Sequence, residues 1–276
     1  MKIIRILNNN SVVATDEKNR EVVLFGAGLG YMKARGQPVE DEKIEKRFYM
    51  EEKKKLNRFA ELINSIPMEY ILFSQQIIDE AKIKYGKQLE DNIYISLPDH
   101  IANAVDGAKQ GIHTKNPMLW DIKRFYKDEF EIGEYALTVI AEKTGIELEM
   151  DEAAYIALHF VNAEIGGSKD TALDITRMMQ EISELVKQKF QIDFDEESLA
   201  YYRYITHLKF FAQRVLNQSY YTDEDEDLFR MVIRKYPEEY GCVKQICEFL
   251  EKDFSYRVGI DEKTYLTVHI ARVVKR

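Results

Sequence analysis

The first 50 residues show the short apolar and β-branched runs, separated by turn formers, that are typical of an antiparallel sheet. Four such runs predict strands at 3–7, 11–15, 21–25 and 44–49. The first two are separated by Asn8-Asn9-Asn10, whose side chains tolerate left-handed backbone. So small a sheet has little core and two exposed edges. We therefore expect a small all-β domain that gains stability by dimerising.

From residue 51 onward the apolar positions recur at helical spacing. The segment 51–66 is charged and amphipathic and ends before Pro67, as suits a helical connector. Beyond it the pattern predicts two all-α bundles of about five helices each, separated by the Gly- and Ser-containing segment 166–170. The ten helices are predicted at 68–85, 91–108, 117–127, 130–144, 152–165, 172–190, 196–217, 223–235, 238–253 and 262–275.

This pattern predicts a multidomain chain in which a β-sheet domain precedes two helical domains. The predicted boundaries are 1–55 for the sheet domain, 56–66 for a helical linker, 67–169 for the first bundle and 170–276 for the second.

One ten-residue stretch occurs twice, 110 positions apart: DEAAYIALHF at 151–160 and DEKTYLTVHI at 261–270. Each copy opens with an Asp able to cap a helix and a Glu favoured by the helix dipole. Each also places a Tyr four residues before a His, on one helix face. A second His precedes each copy, so the histidines form two pairs: His100 with His159, and His207 with His269. This duplicated frame is where we expect function to lie.

Several kinds of chemistry use histidine pairs. A metal site needs ligands within a few positions of one another, and these four are far apart in sequence. Acid–base catalysis uses a His that titrates near neutral pH, but duplicated acidic bundles beside a small sheet would make an unusual enzyme. Reversible phosphorylation adds nearly two negative charges to an imidazole, enough to change a packed interface. Packed, unmodified histidines in a helical scaffold are the remaining alternative.

Charge is unevenly distributed along the 276 residues, which provide room for about two domains of ordinary size. The net charge is −9, yet residues 1–55 carry +3 and the remainder −12. A basic head on an acidic body suggests that the head alone meets a polyanion. No segment predicts a membrane helix or a signal peptide, and Cys242 and Cys247 have neither redox-pair nor zinc spacing. We expect a cytoplasmic protein with two buried thiols, no cofactor and no metal.

The glycine-containing stretch GAGLGY at 26–31 is not a nucleotide-binding motif, because Tyr31 stands where G-x-G-x-x-G needs a glycine. These glycines favour either an unusual turn or the close approach of a ligand backbone. The head also offers cations, amides and an aromatic ring, the groups that recognise RNA with unpaired bases. Ordinary turns with an exposed Tyr are the alternative. The candidate groups are Arg5, Asn8, Asn10, Tyr31, Lys33 and Arg35.

Several motifs in this order resemble the BglG/LicT family of transcriptional antiterminators, closest to its LicT-like members, over essentially the whole chain. In the head they are IIRILNNN at 3–10, GAGLGY at 26–31 and KIEK at 43–46. In the body they are DH at 99–100, YKDEFEIG at 126–133, THLKF at 206–210 and the two copies of the duplicated stretch.

The resemblance implies a co-antiterminator (CAT) RNA-binding domain followed by two PTS regulation domains, or PRDs. Such a protein binds, as a homodimer, an RNA hairpin that overlaps a terminator, and it is not an enzyme. The sugar phosphotransferase system phosphorylates the PRD histidines. A sugar-specific permease represses through the first PRD, and the phosphocarrier HPr activates through the second. The implied sugar is a β-glucoside.

Residue by residue, the resemblance assigns phosphorylation to the four paired histidines and none to His113. It assigns RNA contact to Arg5, Asn8, Asn10, Gly26 and Tyr31. Arg5 stands where relatives have Lys, Tyr31 where Phe is usual, and Ala27 at a position that is often basic. Near the second pair, Lys209 and Arg272 could offer cations to a phosphate. A DNA-binding PRD regulator is the alternative, but it would carry a helix-turn-helix head.

Overall fold

The computed structural model describes residues 1–49, 53–166, 171–220 and 225–275. It consists of a four-stranded antiparallel sheet followed by helices, which confirms the predicted fold class. The chain divides into two compact units. The first contains residues 1–119 and 126–166, and the second contains residues 120–125 and 167–276. The Gly- and Ser-containing segment 166–170 was predicted to separate the two bundles, and most of it, 167–170, lies outside the described residues.

The sheet has the strand order β1-β2-β3-β4, each strand pairing with the next along the chain. Val12 faces Leu24 and Val13 faces Val23 across the central pair, whose register is regular. The β1–β2 ladder has two irregularities that place Arg5 opposite Val13 and Asn8 opposite Ser11. The strands are β1 (Lys2–Asn8), β2 (Ser11–Thr15), β3 (Glu21–Phe25) and β4 (Lys46–Tyr49).

Both faces of the sheet are buried within the chain itself. One face packs against loop residues Leu29 and Val39, while the other packs against helix α1 (Lys53–Ser65). Phe48 of β4 and Phe59 of α1 lie with their ring centroids 5.0 Å apart in this second core. The same core reaches Ile71 of the first bundle. Helix α1 therefore covers the sheet as well as following it in sequence, and its role as a connector stays a prediction.

The first bundle follows the predicted helical pattern closely. Its helices are α2 (Met68–Lys84), α3 (Ile93–Lys109), α4 (Leu119–Phe125), α5 (Lys127–Thr144) and α6 (Met150–Ile165). α4 is shorter than predicted because Tyr126, at φ −129°, separates it from α5. Residues 120–125 of α4 group with the second unit, which the helical pattern did not predict.

α5 and α6 cross at a glycine. A Cβ on Gly133 of α5 would lie 2.3 Å from the carbonyl oxygen of Ala153 in α6, so no larger residue fits without moving a helix. This crossing fixes the position of α6, the helix that carries the first copy of the duplicated stretch.

The second unit repeats the helical pattern. Its helices are α7 (Thr171–Phe190), α8 (Leu199–Leu216), α9 (Glu226–Lys235), α10 (Pro237–Phe254) and α11 (Ile260–Val273). Met179, Leu208, Phe211, Ile246 and Leu266 are buried in its core. Cys242 and Cys247 are free, and burial raises the pKa of each thiol to about 11. No helix within the described residues is long and apolar enough to cross a membrane.

Candidate functional site

The turn between β1 and β2 is joined to the loop 26–31 by asparagine side chains. Asn8 Oδ1 accepts hydrogen bonds from the Asn10 backbone N–H (2.9 Å) and the Ser11 hydroxyl (2.7 Å). Asn10 Oδ1 accepts from the Gly28 backbone N–H at 2.9 Å. Each amide oxygen therefore shapes the loops. Each amide NH2 group has no hydrogen bond within the described residues and can donate to a ligand.

Gly26 and Gly30 allow two backbone segments to approach each other. A Cβ at Gly26 would lie 1.6 Å from the carbonyl oxygen of Lys43, and one at Gly30 would lie 2.2 Å from that of Asn8. The approaching backbone at both glycines thus belongs to this chain. Gly26 also donates its N–H to the Asn10 carbonyl at 3.0 Å. Gly26 therefore has a packing role, and its contact with RNA stays a prediction.

The remaining candidate groups of the head differ in how free they are. Tyr31 is 60% exposed, so its ring is open to a stacking base. Arg5 is exposed and donates from Nη2 to Asn57 Oδ1 of α1 at 3.2 Å. Lys33 pairs with Glu40, and the hydrogen bonds from Lys33 and then Lys43 lower the pKa of Glu40 to about 2. Lys33 is thus an engaged cation.

The histidines of the first pair lie on two different helices and come together in the fold. His100 of α3 and His159 of α6 lie with ring centroids 4.8 Å apart and planes inclined by 40°. The Tyr155 ring is 6.1 Å from that of His100, and its hydroxyl donates to the Lys115 carbonyl oxygen at 3.0 Å. The Nε2 atom of His100 lies 3.0 Å from Oε2 of the buried Glu152.

The second pair repeats this arrangement. His207 of α8 stacks on His269 of α11, with centroids 4.5 Å apart and planes inclined by 16°. The Tyr265 ring is 5.8 Å from that of His207. The Nε2 atom of His207 lies 3.9 Å from Oε2 of Glu262, a side chain almost wholly buried. Each unit thus holds two histidines, a tyrosine and a buried glutamate in matching places.

Electrostatics distinguish the two pairs. Burial, then the neighbouring His269 and Arg214, lower the pKa of His207 to about 4. Burial, Arg272 and Arg203 also lower the pKa of His269. Arg214 donates from Nε to Glu262 Oε1 at 2.6 Å. The first pair has no arginines at the corresponding positions. When the histidines of the two units are aligned, Arg203, Arg214 and Arg272 correspond to Ser96, Gly107 and Asn162.

Asp151, the first residue of the duplicated stretch, does not cap α6 as expected. It lies within the first turn and accepts the Asn116 backbone N–H at 2.7 Å, which lowers the pKa of its carboxyl group. Asp261 likewise lies inside α11, with its Oδ1 3.5 Å from the Asp225 backbone nitrogen. The repeated Asp therefore contacts backbone that precedes α4 in the first case and α9 in the second.

Sequence reasoning did not identify the glutamates as partners of His100 and His207. Glu152 and Glu262 each lie seven residues before the second His of the pair, on the same helix face. Arg272 is one of the two expected cations, whereas Arg203 and Arg214 were not expected. They lie four residues before and seven after His207, so helical spacing could have indicated them.

Two further features fall outside the pairs. His113 is half exposed in the loop after α3, with Nδ1 3.4 Å from Glu149 Oε1. Within the parts of the chain that the structure describes, no group of three or more His, Cys, Asp or Glu side chains is placed to hold a metal ion.

Comparison with known proteins agrees with these features. A family model described as CAT RNA binding domain matches residues 1–57, and one described as PRD domain matches residues 75–163 and 180–273. The sheet and its loops thus fall in an RNA-binding domain class. Each histidine pair falls in one of two PRDs.

Two relatives align along the whole chain, and a solved structure aligns with part of it. Transcription antiterminator LicT of Bacillus subtilis is 44% identical, with all of both chains covered. The beta-glucoside operon antiterminator of Dickeya chrysanthemi is 40% identical, with 99% of this chain and 96% of its own length covered. The crystal structure of GlcT CAT-PRDI matches with a TM-score of 0.52 at 32% identity, over 59% of this chain and 97% of that one.

An RNA-binding sheet domain joined to two PRDs defines a class of transcription regulators rather than enzymes. The chain belongs to the BglG/LicT family of transcription antiterminators. Residues 1–49 form strands and loops with one short 3-10 turn (Asp41–Lys43), so this part of the chain has no helix-turn-helix. That excludes the alternative of a DNA-binding head built on this motif.

Proposed function

We propose that this protein is a sugar-responsive antiterminator that binds, as a homodimer in the cytoplasm, an RNA hairpin overlapping a terminator. Phosphorylation of His100, His159, His207 and His269 by components of the sugar phosphotransferase system controls the binding. HPr and a sugar-specific permease are the proposed phosphoryl donors. By similarity to the relative from Dickeya chrysanthemi, the proposed sugar is a β-glucoside.

The observation that carries the proposal is the duplicated histidine pair. Each pair joins two helices through rings less than 5 Å apart, His100 with His159 at 4.8 Å and His207 with His269 at 4.5 Å. A phosphoryl group adds nearly two negative charges at such a junction. The helices must then separate or recruit a cation, and either response changes the packing of the unit.

RNA recognition is proposed for the head. The free amide NH2 groups of Asn8 and Asn10, the exposed ring of Tyr31 and the Arg5 guanidinium together offer donors, a stacking face and a cation. These groups suit a hairpin with unpaired bases. RNA affinity should fall steeply with added salt, because each phosphate contact releases counterions.

The test uses the full-length chain and an RNA hairpin taken from upstream of its own operon. Mobility shift assays compare the protein before and after incubation with phosphorylated HPr or with the phosphorylated permease domain. Phosphohistidine mapping then identifies the modified residues. We expect modification within the two pairs and a change in RNA affinity. Modification at His113 alone, or no RNA binding at low salt, would contradict the proposal.

A further inference from the structure

We propose that the phosphoryl group is attached to His100 and His207 at Nδ1, because each ring turns Nε2 inward onto a buried glutamate. The proposal deepens the proposed function and rests on it, since it requires that these histidines accept phosphoryl groups. It assigns Glu152 and Glu262 as positioning residues that select the reactive nitrogen.

The contact with glutamate is present in both units. His100 Nε2 lies 3.0 Å from Glu152 Oε2, and His207 Nε2 lies 3.9 Å from Glu262 Oε2. All four atoms are closed off from solvent, and none has a well-aligned hydrogen bond within the described residues. The 3.0 Å distance between His100 Nε2 and Glu152 Oε2 is therefore a close contact in which the N–H direction does not meet the geometry of a hydrogen bond. A buried carboxylate oxygen without a donor is costly, and a proton on the facing Nε2 would give this oxygen a neighbouring donor.

This neighbour selects one tautomer. A carboxylate oxygen only accepts, so it favours the ring form in which Nε2 carries the proton. The lone pair of the neutral ring is then on Nδ1. At His207 the ring is neutral at pH 7, because burial, then the neighbouring His269 and Arg214, lower its pKa to about 4.

Accessibility selects the same nitrogen. The side chains of His100 and His207 are 22% and 18% exposed, while their Nε2 atoms are closed off. The exposed part therefore lies elsewhere on each side chain, and with Nε2 closed off, Nδ1 is the ring nitrogen left for a donor protein. The tautomer and the accessibility of the ring thus both indicate Nδ1, at His100 and at His207.

The transfer balances without another reactant. The Nδ1 lone pair attacks the phosphorus of a phosphohistidine on the donor protein, forming a P–Nδ1 bond. The donor's P–N bond breaks, and its electron pair returns to the donor imidazole. The proton stays on Nε2, and the resulting phosphoimidazolium is stabilised by the facing carboxylate of Glu152 or Glu262.

The first experiment identifies the isomer. The full-length chain carrying His159→Ala and His269→Ala keeps only His100 and His207 of the two pairs, and it is incubated with phosphorylated HPr and the phosphorylated permease domain. Phosphorus NMR and isomer-specific antibodies distinguish phosphate on Nδ1 from phosphate on Nε2. We expect the Nδ1 isomer at both positions. Phosphate on Nε2 would overturn this proposal but not the proposed function. If the variant carries no phosphohistidine while the wild-type chain does, this proposal alone is overturned, and if neither chain carries any, both are overturned.

The second experiment tests the positioning residue. Arg214 donates to Glu262 Oε1 at 2.6 Å, so in Glu262→Gln the new carbonyl oxygen stays on Arg214 and the amide NH2 faces His207. Nε2 of His207 then accepts, the proton moves to Nδ1, and the reactive lone pair there is lost. We expect phosphorylation of His207 to slow by roughly 10- to 100-fold, because the tautomer with its lone pair on Nδ1 becomes the minor form.

His100, with Glu152 intact, is the internal reference for that variant. Glu129→Gln is the matched control, since it removes a buried carboxylate that pairs with Lys87. The control should leave the isomer and the rate unchanged at His207. An unchanged rate and isomer in Glu262→Gln would overturn the role of Glu262, and so would equal slowing at His100 and His207.

Discussion

His207 lies almost parallel to His269, with ring centroids 4.5 Å apart, although 62 residues separate them in the chain. Burial lowers the pKa of both rings, and nearby arginines lower it further. Two stacked imidazoles with this environment are neutral at pH 7, and each resists a proton.

The pH dependence of stability follows from the lowered pKa of His207. Its folded pKa of about 4 lies below the unfolded value of 6.5, so the unfolded chain binds more protons between these values. Stability should therefore fall as pH falls through this window, by about 2 kcal/mol between pH 7.5 and 5 for this group alone. Urea unfolding of the full chain at both pH values measures the loss.

His207→Gln should reduce that pH dependence, and His113→Gln, which changes a half-exposed loop histidine, should leave it unchanged. Equal pH dependence in the wild type and in His207→Gln would show that another group is responsible.

Phosphomimetic variants should have opposite effects in the two PRDs. The aspartate in His100→Asp adds negative charge beside Glu152, where no arginine occupies the matching positions, and should lower read-through. His207→Asp with His269→Asp adds charge beside Arg203, Arg214 and Arg272 and should raise it. Each change should be roughly fivefold or more in a reporter behind the cognate terminator. The opposite pair of signs would reverse the assignment of repressing and activating inputs.

The arginines near the second pair should be required for the increase in read-through that His207→Asp with His269→Asp produces. Arg203→Gln with Arg272→Gln removes two cations beside His269. In that background the double aspartate substitution should no longer raise read-through, because the added charges lack partners. Lys244→Gln, on a different helix, is the control for loss of a positive charge. If the double aspartate substitution still raised read-through fully in that background, these two arginines would not be the cause of the activating effect.

Gly133 and Gly241 form a matched test of helix packing. Gly133→Ala places a methyl group 2.3 Å from the Ala153 carbonyl oxygen and should destabilise the first unit by about 1–3 kcal/mol. A Cβ at Gly241, inside α10, meets nothing within 4 Å. Gly241→Ala should therefore stabilise its helix by about 0.5–1 kcal/mol. Thermal and urea unfolding distinguish the two, and a stabilising Gly133→Ala would contradict the close crossing.

Tyr31 should contribute a stacking surface to RNA binding. Tyr31→Ala should weaken binding of the full chain to its hairpin by roughly 1–3 kcal/mol, and Tyr31→Phe should retain it. Tyr49→Ala is the control, because that exposed ring is already covered by the Arg20 guanidinium at 4.8 Å. Equal losses from Tyr31→Ala and Tyr49→Ala would argue against a specific stacking site.

The local sequence pattern was sufficient to predict the secondary-structure elements and the paired histidines. Short β-branched runs bounded by turn formers located four strands, and helical spacing located ten helices beyond residue 66. Duplication identified the histidines, and the structure confirms that each pair joins two helices.

Other relationships depend on the tertiary fold. Nothing local indicates that Glu152 meets His100, since 52 residues separate them and the contact depends on how α3 crosses α6. The same holds for Gly26, whose close neighbour is the Lys43 carbonyl. Residues 120–125 joined the second unit for a similar reason: periodicity shows which face is buried, not against which partner.

The apolar core that contains Phe48, Phe59 and Ile71 has a thermodynamic consequence. It joins strand β4, helix α1 and helix α2 in one set of buried contacts. Elements that share a core lose their packing together, so the head and the first bundle should melt in one cooperative transition. A hairpin bound only at the head would then raise the melting temperature of the first bundle as well, because a ligand of the folded state stabilises everything that unfolds with its site. Amide hydrogens of α2, which lies outside the head, would report occupancy by slower exchange.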